Sequence, residues 1–531
     1  MRAAAHLALL DSITDVPTAS VVVGRIRDCR VEGEVMELAL CIVVVVVLVC
    51  ASGSRKFWFP FRGAPDVSTS AQANVETARR IESFLMAGQK ANALPIPFGT
   101  ISVPLQTLNK PTIVFGLPEA GKTTFINRML PELFKLFGLH TGRTRFVFLD
   151  VKNELPRRLH ALVPPNIPIH YLNPLDSRGS VLDCPAMFPG RSDLDQLAHT
   201  LCPPTPGDQT PFFRNCARQT VGLVAAVLQK YQRRSKRPWG LFELCSILSE
   251  KQSLRRVMAC DYEAKSFYKA TLSANVKSSP DVFSTIRSVI QPLIPAALAE
   301  RQNPPRFNIK SFLRDDGIAV LGIPPTGSEA VLPVYNVFIR RLIEEAQTIV
   351  HPDDRLFLIF DEVALLNRGV VESIVKATCV GRSHGIHVIA ATQSLELLEA
   401  QFGLDQAHAY LASCATTIGF RCGSRKTAEY VVGRMGSQDG IVVLSSRTSS
   451  ANGSSTTVSE QLQTRPTVMA DELLHAPLAD PLEDRMVFFA VSPAFGNAKV
   501  TCSFVAETTV KTDPTYRTPR PEVRDPRRCV L

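Results

Sequence analysis

The feature that most constrains the fold of this chain is the segment GLPEAGKT at residues 116–123, which fits the pattern GxxxxGK[ST]. The apolar run 112–115 before it predicts a buried strand, and apolar residues at helical spacing after it predict a helix. In such a loop backbone N–H groups surround phosphate oxygens, the lysine reaches the β- and γ-phosphates, and the threonine hydroxyl can bind Mg²⁺. A chance match in a glycine-rich turn is the alternative, but the strand and helix on either side favour a nucleotide site. The predicted phosphate contacts are Gly116, Leu117, Pro118, Glu119, Ala120, Gly121, Lys122, Thr123 and Thr124.

An acidic motif follows another apolar run far downstream. Residues 355–360 (RLFLIF) predict a buried strand that ends in Asp361 and Glu362. Downstream of a phosphate-binding loop (P-loop) such as residues 116–123, this pattern is typical of two carboxylates with different roles. The first, here Asp361, holds Mg²⁺ together with Thr123, and the second, here Glu362, polarises the attacking water. Apolar runs that end in two acids are common, so the assignment depends on the P-loop upstream.

Two more predicted strands end in polar residues, where open α/β sheets bind ligands. Residues 145–149 are followed by DVKNE at 150–154, which is either part of the site or a solvated turn. Residues 386–391 are followed by Gln393, whose amide can contact the γ-phosphate or its water. Arg382, just before that strand, is a candidate to stabilise transition-state charge in a neighbouring subunit, with a surface salt bridge as its alternative.

One helical block interrupts the alternation of strands and helices. Residues 192–304 show helical spacing without strand patterns, which predicts an all-α domain inserted into an α/β nucleotide-binding domain formed by 95–191 and 305–500. The Ser- and Thr-rich stretch 445–459 predicts a flexible linker. Residues 501–531 are basic and Pro-rich, which predicts a tail without a core.

The N-terminal part has a different composition. Residues 36–54 contain the valine-rich run LALCIVVVVVLVCA, and basic residues interleaved with aromatic ones follow it at 55–62. This pattern predicts a single-pass membrane anchor with the residues after 54 in the cytoplasm, and a buried core strand is the alternative. Residues 1–35 are either a genuine extension or precede the true start at Met36. Residues 55–94 predict a linker followed by a helix.

Charge and cysteine content restrict the possible partners. A net charge of +10 is compatible with a polyanionic partner such as nucleic acid. The 13 cysteines are scattered without CxxC or Cys/His ligand spacing, which predicts reduced thiols and no zinc site.

In their order, these motifs resemble those of the TraG/TraD-type coupling proteins of type IV secretion and conjugation systems. The segments that carry the resemblance span about residues 95–440 and read IPFGTISVPLQTLNKPTIVFGLPEAGKTT, LDVKNE, YLNPLDSRGSVLDCPA with PFFRNCARQ, FLIFDEVALLN, GRSHGIHVIAATQSLELLEAQFG and SCATTIGFRCGSRKTAEYVVGRMG. Glu119, Ala120 and Asn153 depart from the family pattern, because relatives often have glycine or a small residue there.

The resemblance implies a RecA-like P-loop ATPase, anchored in the bacterial inner membrane, that uses ATP and Mg²⁺ and assembles as a ring, expected to be hexameric. Its implied work is to drive single-stranded DNA, or a relaxase–DNA complex, into a type IV secretion channel. Arg382 then acts on a neighbouring subunit and Gln393 senses the γ-phosphate. The catalytic residues that the resemblance implies are Lys122, Asp361, Glu362, Arg382 and Gln393.

Two other functions remain open at this point. An FtsK/HerA-like pump for duplex DNA has the same P-loop core, although the block GRSHG and the glutamine at Gln393 argue against it. A docking receptor for secreted protein substrates, with weak ATPase activity, is the other, and intact Lys122, Asp361 and Glu362 argue against it.

Overall fold

A computed structural model describes most of the chain from residue 94 to residue 502. The described residues are 94–138, 142–176, 179–204, 211–301, 304–324, 327–349, 353–380, 385–450, 453–480 and 482–502. The predicted membrane anchor at 36–54, the extension at 1–35 and Arg382 lie outside them, as do residues 503–531 of the predicted tail.

The strands alternate with helices along most of the chain. The strands are β1 Pro95–Phe98, β2 Ile101–Pro104, β3 Thr112–Phe115, β4 Thr144–Asp150, β5 Ile169–Tyr171, β6 Val181–Leu182, β7 Arg306–Phe307, β8 Gly317–Gly322, β9 Arg355–Phe360, β10 Ile386–Thr392, β11 Thr416–Gly419, β12 Ser437–Ser450, β13 Gly453–Pro466, β14 Met486–Ser492 and β15 Gly496–Cys502. The helices are α1 Lys122–Phe134, α2 Leu155–Leu162, α3 Cys184–Met187, α4 Arg191–Leu201, α5 Pro211–Ser235, α6 Leu241–Ser249, α7 Lys251–Met258, α8 Tyr262–Phe267, α9 Ser279–Ile290, α10 Ile294–Glu300, α11 Ile309–Phe312, α12 Ser328–Ile349, α13 Arg368–Val380, α14 Leu395–Phe402, α15 Leu404–Ser413, α16 Arg425–Met435 and α17 Ala470–Leu474.

A nine-stranded sheet forms the centre of the main body, in the order β15-β14-β11-β3-β10-β9-β4-β8-β5. From β11 to β5 neighbouring strands run parallel, whereas β14 and β15 are antiparallel additions at one edge. The expected α/β fold with a mainly parallel sheet is therefore confirmed. Because parallel neighbours end at the same edge, the carboxyl ends of β3, β4, β9 and β10 lie side by side.

Successive residues of the central strands pack alternately into two hydrophobic cores, one on each face of the sheet. In β3, Ile113 belongs to one cluster and Val114 to the other, and both side chains are fully buried. Strands buried on both faces read as continuous apolar runs, which is why the sequence pattern identified them. Helix α1 packs Phe125 and Met129 into the second cluster, so the P-loop is anchored at both of its ends.

The helices α4 to α10 follow one another between β6 and β7 without an intervening strand among the residues described there. The two short strands β6 and β7, which precede and follow this helical block, pair in parallel, so the two ends of the block lie close together. Among the described residues, Ser279–Glu300 is the stretch long and apolar enough to cross a membrane, and 44% of its most apolar window is buried within the protein. Pro292 and Pro295 coincide with its division into α9, a 3₁₀ turn and α10.

The prediction of a flexible linker at 445–459 is wrong. Strands β12 and β13, of 14 residues each, pair with each other as a separate two-stranded sheet. The sequence contains a weak signal for these strands, because β-branched residues precede and follow the connection at 451–452. The Ser- and Thr-rich composition concealed that pattern.

Candidate nucleotide site

The P-loop occupies the carboxyl end of β3, in the middle of the sheet. Its backbone is held from both sides: the Gly116 amide donates to the Thr392 carbonyl at 3.2 Å, and the Leu117 amide donates to the Arg421 carbonyl at 2.9 Å. Gly121 has a φ of 105°, a left-handed conformation that glycine adopts without strain. Glu119 also has a positive φ, 63°, although it carries a side chain. These contacts give the loop a defined curvature in front of α1.

Lys122 lies inside this loop, and its side chain is largely buried. Its ammonium group donates to the carbonyl of Gly116 at 2.6 Å and to that of Leu117 at 2.9 Å. Burial lowers the pKa of Lys122, while the nearby carboxylates of Glu362 and Asp361 act to raise it. The two hydrogen bonds therefore hold the Lys122 ammonium group close to the loop backbone and within the influence of the acidic motif.

Thr123 and Asp361 meet between the loop and the end of β9. The Thr123 hydroxyl donates to Asp361 Oδ1 at 2.8 Å. Burial raises the pKa of the Asp361 carboxyl, and the Thr123 hydrogen bond, Lys152 and Lys122 counteract this increase. A hydroxyl and a carboxylate are oxygen donors of the kind that Mg²⁺ prefers. The side chains predicted to hold Mg²⁺ thus lie within hydrogen-bonding distance and fit that ion chemically.

Glu362 continues from Asp361 towards the same space. Its carboxylate accepts a hydrogen bond from the Ala364 amide at 3.4 Å and so caps the short 3₁₀ turn Val363–Leu365. Burial raises the pKa of Glu362, and contacts with Thr392 and the charge of Lys122 oppose that rise. A carboxylate in such surroundings is suited to accept a proton from water at neutral pH.

A cavity of about 510 Å³ opens between the P-loop and the ends of the neighbouring strands. This volume is within the range of sites that bind small molecules. It is lined by Pro118, Glu119, Gly121, Lys122, Thr123, Thr124, Val151, Lys152, Asp361, Glu362, Gln393 and Ala479. The structure therefore brings together the predicted residues Lys122, Thr123, Asp361, Glu362 and Gln393 around one space.

Three predicted residues of the loop do not line this cavity. Gly116, Leu117 and Ala120 support the loop from behind and do not line the cavity, and Ala120 is buried. Arg382 is outside the described residues. Its chain neighbour Gly385 lies at the amino end of β10, where its carbonyl accepts from the Leu356 amide at 2.9 Å, at the sheet edge opposite the P-loop.

Three cavity residues were not assigned to the site from the sequence. Val151 and Lys152 belong to the segment DVKNE, which the sequence left undecided between a site and a solvated turn, and both line the cavity. Ala479 comes from the segment before β14, and no sequence signal marks it. Only the fold could place it, because β14 and its leading segment join the sheet from far along the chain.

A family of known proteins matches most of this chain. The description of the family is type IV secretion-system coupling protein DNA-binding domain, and the match extends over residues 95–483. No curated protein matches the chain by sequence at a significant level.

Solved structures of the conjugative coupling protein TrwB have a similar fold. The unbound monoclinic form of bacterial TrwBdeltaN70 superposes with a TM-score of 0.64 at 18% identity and covers 83% of this chain and 93% of that one. TrwB in complex with ADP and Mg²⁺ gives a TM-score of 0.63 at 17% identity and covers 87% and 96%. TrwB with the non-hydrolysable ATP analogue ADPNP gives 0.62 at 18% identity and covers 83% and 94%. At such identities the similarity concerns the fold.

Proposed function

The chain belongs to the family of type IV secretion-system coupling proteins, and on this premise we propose that it hydrolyses Mg-ATP to move DNA into a secretion channel. One observation carries the enzymatic part of this proposal. Lys122, Thr123, Asp361 and Glu362, which come from segments more than 200 residues apart, line one cavity at the carboxyl edge of the sheet. A P-loop and an Asp-Glu pair in this arrangement have the parts that phosphoryl transfer to water requires.

Each of these residues has a distinct role in the proposed reaction. The P-loop amides and Lys122 bind the β- and γ-phosphates, and Lys122 neutralises charge that builds up on them. Thr123 and Asp361 would hold Mg²⁺, which, when bound, supplies positive charge to the phosphate oxygens. Glu362 orients the attacking water and accepts its proton, and the Gln393 side chain contacts the same water or the γ-phosphate. ADP and inorganic phosphate are the products.

The position of β10 supports a role for Arg382 in a neighbouring subunit. Gly385 lies at the amino end of β10, and Thr392, which contacts the P-loop backbone, lies at its carboxyl end. A strand of that length separates the two edges by about 20 Å, and an arginine side chain spans only a fraction of this distance. We propose that Arg382, which lies outside the described residues, acts on the nucleotide of an adjacent copy, in a ring that we propose to be hexameric.

The remaining parts of the proposal concern partners and location. The substrate is single-stranded DNA or a relaxase–DNA complex, and the basic net charge of +10 supports a polyanionic partner. Residues 36–54 anchor the chain in the bacterial inner membrane, with the nucleotide-binding domain (95–191 and 305–500) and the all-α domain (192–304) in the cytoplasm. TrwB, described as a conjugative coupling protein, provides the fold-level precedent.

Displacement of streptavidin from biotinylated DNA tests the proposal. A translocase should remove streptavidin from one end of a single strand when ATP is present, and Lys122→Ala and Glu362→Gln should abolish this removal. Displacement from duplex DNA alone would instead indicate an FtsK/HerA-like pump. Absence of displacement from either DNA, with no stimulation of ATP hydrolysis by DNA, would contradict the motor and favour a docking receptor.

A further inference from the structure

The turn that follows β4 is built around a buried carboxylate. Asp150 ends the strand, and its Oδ2 accepts the Leu155 amide at 2.9 Å. The amides of Asn153 and Glu154 also donate to this carboxylate. Three backbone donors from one turn therefore converge on a single side chain, which fixes the path of the chain from Val151 to Glu154.

A neighbouring strand specifies the same turn. Asn153 has a φ of 55°, a left-handed conformation that is uncommon for residues with a side chain but tolerated by asparagine. Its side chain lies against Gly322, where an added Cβ would be only 2.7 Å from Asn153 Oδ1. The absence of a side chain on Gly322 at the end of β8 thus leaves room for Asn153. A solvated surface turn requires no such fit.

The turn places Lys152 at the nucleotide site. Lys152 lines the 510 Å³ cavity together with Lys122, Asp361 and Glu362. It also lines a second, smaller cavity between Thr123 and Asp150. Burial is the largest influence on the pKa values of Asp361, which it raises, and of Lys122, which it lowers, and the charge of Lys152 acts to lower both. The side chain remains accessible to solvent and is free to meet a ligand.

We propose that Lys152 is a second lysine, besides Lys122, that binds the terminal phosphate of the nucleotide, and that Asp150 is the residue that positions it. This inference rests on the proposed function, because it assigns a further contact in the same site. The γ-phosphoryl group carries most of the negative charge in the transition state, spread over its equatorial oxygens. The P-loop and Lys122 would contact this group, and Lys152 would supply a further positive charge to it. Lys152 forms no covalent bond and transfers no proton.

A structural role for Lys152 makes a different prediction. If it only balances the carboxylates of Asp361 and Glu362, its removal should affect nucleotides with and without a γ-phosphate alike. A contact to the γ-phosphate should instead discriminate between them. The affinities for Mg-ADP and for Mg-ADPNP, measured separately on the same purified full-length chain, therefore distinguish the two roles.

The test compares Lys152→Met with Lys152→Arg and with a control variant, Lys135→Met. Lys135 is an exposed lysine directly after α1 that pairs with Glu132. Lys152→Met should weaken ADPNP binding by roughly tenfold or more, the usual effect of losing one charge-assisted contact, and should leave ADP binding within about twofold. It should also lower kcat, whereas Lys152→Arg should recover most of both losses and Lys135→Met should match the wild type.

Three results would overturn the proposal. In the first, Lys152→Met binds ADPNP as tightly as the wild type does and also binds ADP as tightly, while Lys122→Ala loses both ligands. Lys152 would then not contact the nucleotide, and the proposed ATPase would still stand. A wild-type chain that binds neither nucleotide would overturn the Lys152 contact together with the proposed function. An equal loss of both affinities in Lys152→Met would also contradict a γ-phosphate contact, because it would indicate a general charge effect.

Discussion

Thr123 and Asp361 are joined by a hydrogen bond of 2.8 Å, although 238 residues separate them in the chain. Thr123 lies in the first turn of α1, and Asp361 follows the last residue of β9. The Asp361 amide in turn donates to the Leu149 carbonyl of β4 at 3.2 Å, so Asp361 is fixed with respect to α1 and to two strands of the sheet. This contact links the phosphate-binding loop with the acidic motif.

Replacement of Thr123 by valine should weaken the use of Mg²⁺ without disrupting the fold. Valine has nearly the same shape as threonine but lacks the hydroxyl that donates to Asp361 and is proposed to bind the metal. We expect the Mg²⁺ concentration that gives half-maximal ATP hydrolysis to rise by roughly tenfold or more. Thr123→Ser retains the hydroxyl and should behave almost as the wild type. Unchanged Mg²⁺ dependence in Thr123→Val would contradict the metal assignment.

Replacement of Gly121 by alanine should damage the P-loop more than an equivalent change elsewhere. Its φ is 105°, and an added Cβ would lie 2.6 Å from Met486 Sδ. We expect a loss of about 1–3 kcal/mol in the free energy of unfolding together with loss of nucleotide binding. Gly138→Ala is the control, because its φ of 85° is also positive but no atom lies within 4 Å of the added carbon. Chemical denaturation and nucleotide titration of both variants would check this difference.

Replacement of Arg145 by methionine should destabilise the protein without affecting nucleotide binding, because Arg145 lies at the amino end of β4, at the sheet edge opposite the nucleotide site. Arg145 Nη1 lies 3.0 Å from Asp354 Oδ2, and both side chains are buried. Removal of Arg145 breaks this buried ion pair, for which a cost of about 3–5 kcal/mol is typical. The exposed pair Arg368–Glu372 is the control, and Arg368→Met should cost about 0.5 kcal/mol or less. Nucleotide affinity of the folded Arg145→Met protein should be unchanged, and a selective loss of affinity would contradict this separation.

Glu300 should make the stability of the main body depend on pH. Burial raises the pKa of its carboxyl from 4.5 to about 7, although the Phe242 amide and Arg306 act against this rise. Between these two pH values the unfolded state releases a proton that the folded state retains, so stability falls as pH increases from 4.5 to 7. Complete titration corresponds to about 3 kcal/mol.

Glu300→Gln separates this effect from the loss of a contact, because glutamine retains an oxygen that can accept the Phe242 amide at 3.0 Å. The variant should be as stable as the wild type near pH 4.5 and more stable at pH 8. Urea unfolding at both pH values would measure this. Parallel curves for wild type and variant would show that Glu300 does not titrate in this range.

The amount that the sequence could predict differs between parts of the molecule. The P-loop and the Asp361-Glu362 pair were identified because their chemistry requires specific residue types at fixed spacing. Strand β8 was also evident, since a strand buried on both faces is a continuous apolar run. The order of the strands, by contrast, depends on contacts between distant segments, and no local pattern encodes the place of β14 beside β11.

The uncertain parts have identifiable physical causes. The segment DVKNE was ambiguous because charged residues occur both in binding sites and in solvated turns, and only the convergence of backbone amides on Asp150 distinguishes them. The hairpin of β12 and β13 was mistaken for a linker because serine and threonine are frequent in both. The trans role of Arg382 stays a prediction, as does the membrane anchor at 36–54.

The rate of ATP hydrolysis by the purified full-length chain, with and without single-stranded DNA, tests the central claim most directly. Lys122→Ala is the essential companion, because it removes the charge that the loop carbonyls hold in the cavity. We predict that DNA raises the wild-type rate severalfold and that Lys122→Ala reduces it by roughly a hundredfold or more while the melting temperature changes little. Equal rates for wild type and Lys122→Ala, both indifferent to DNA, would contradict an ATP-driven DNA motor.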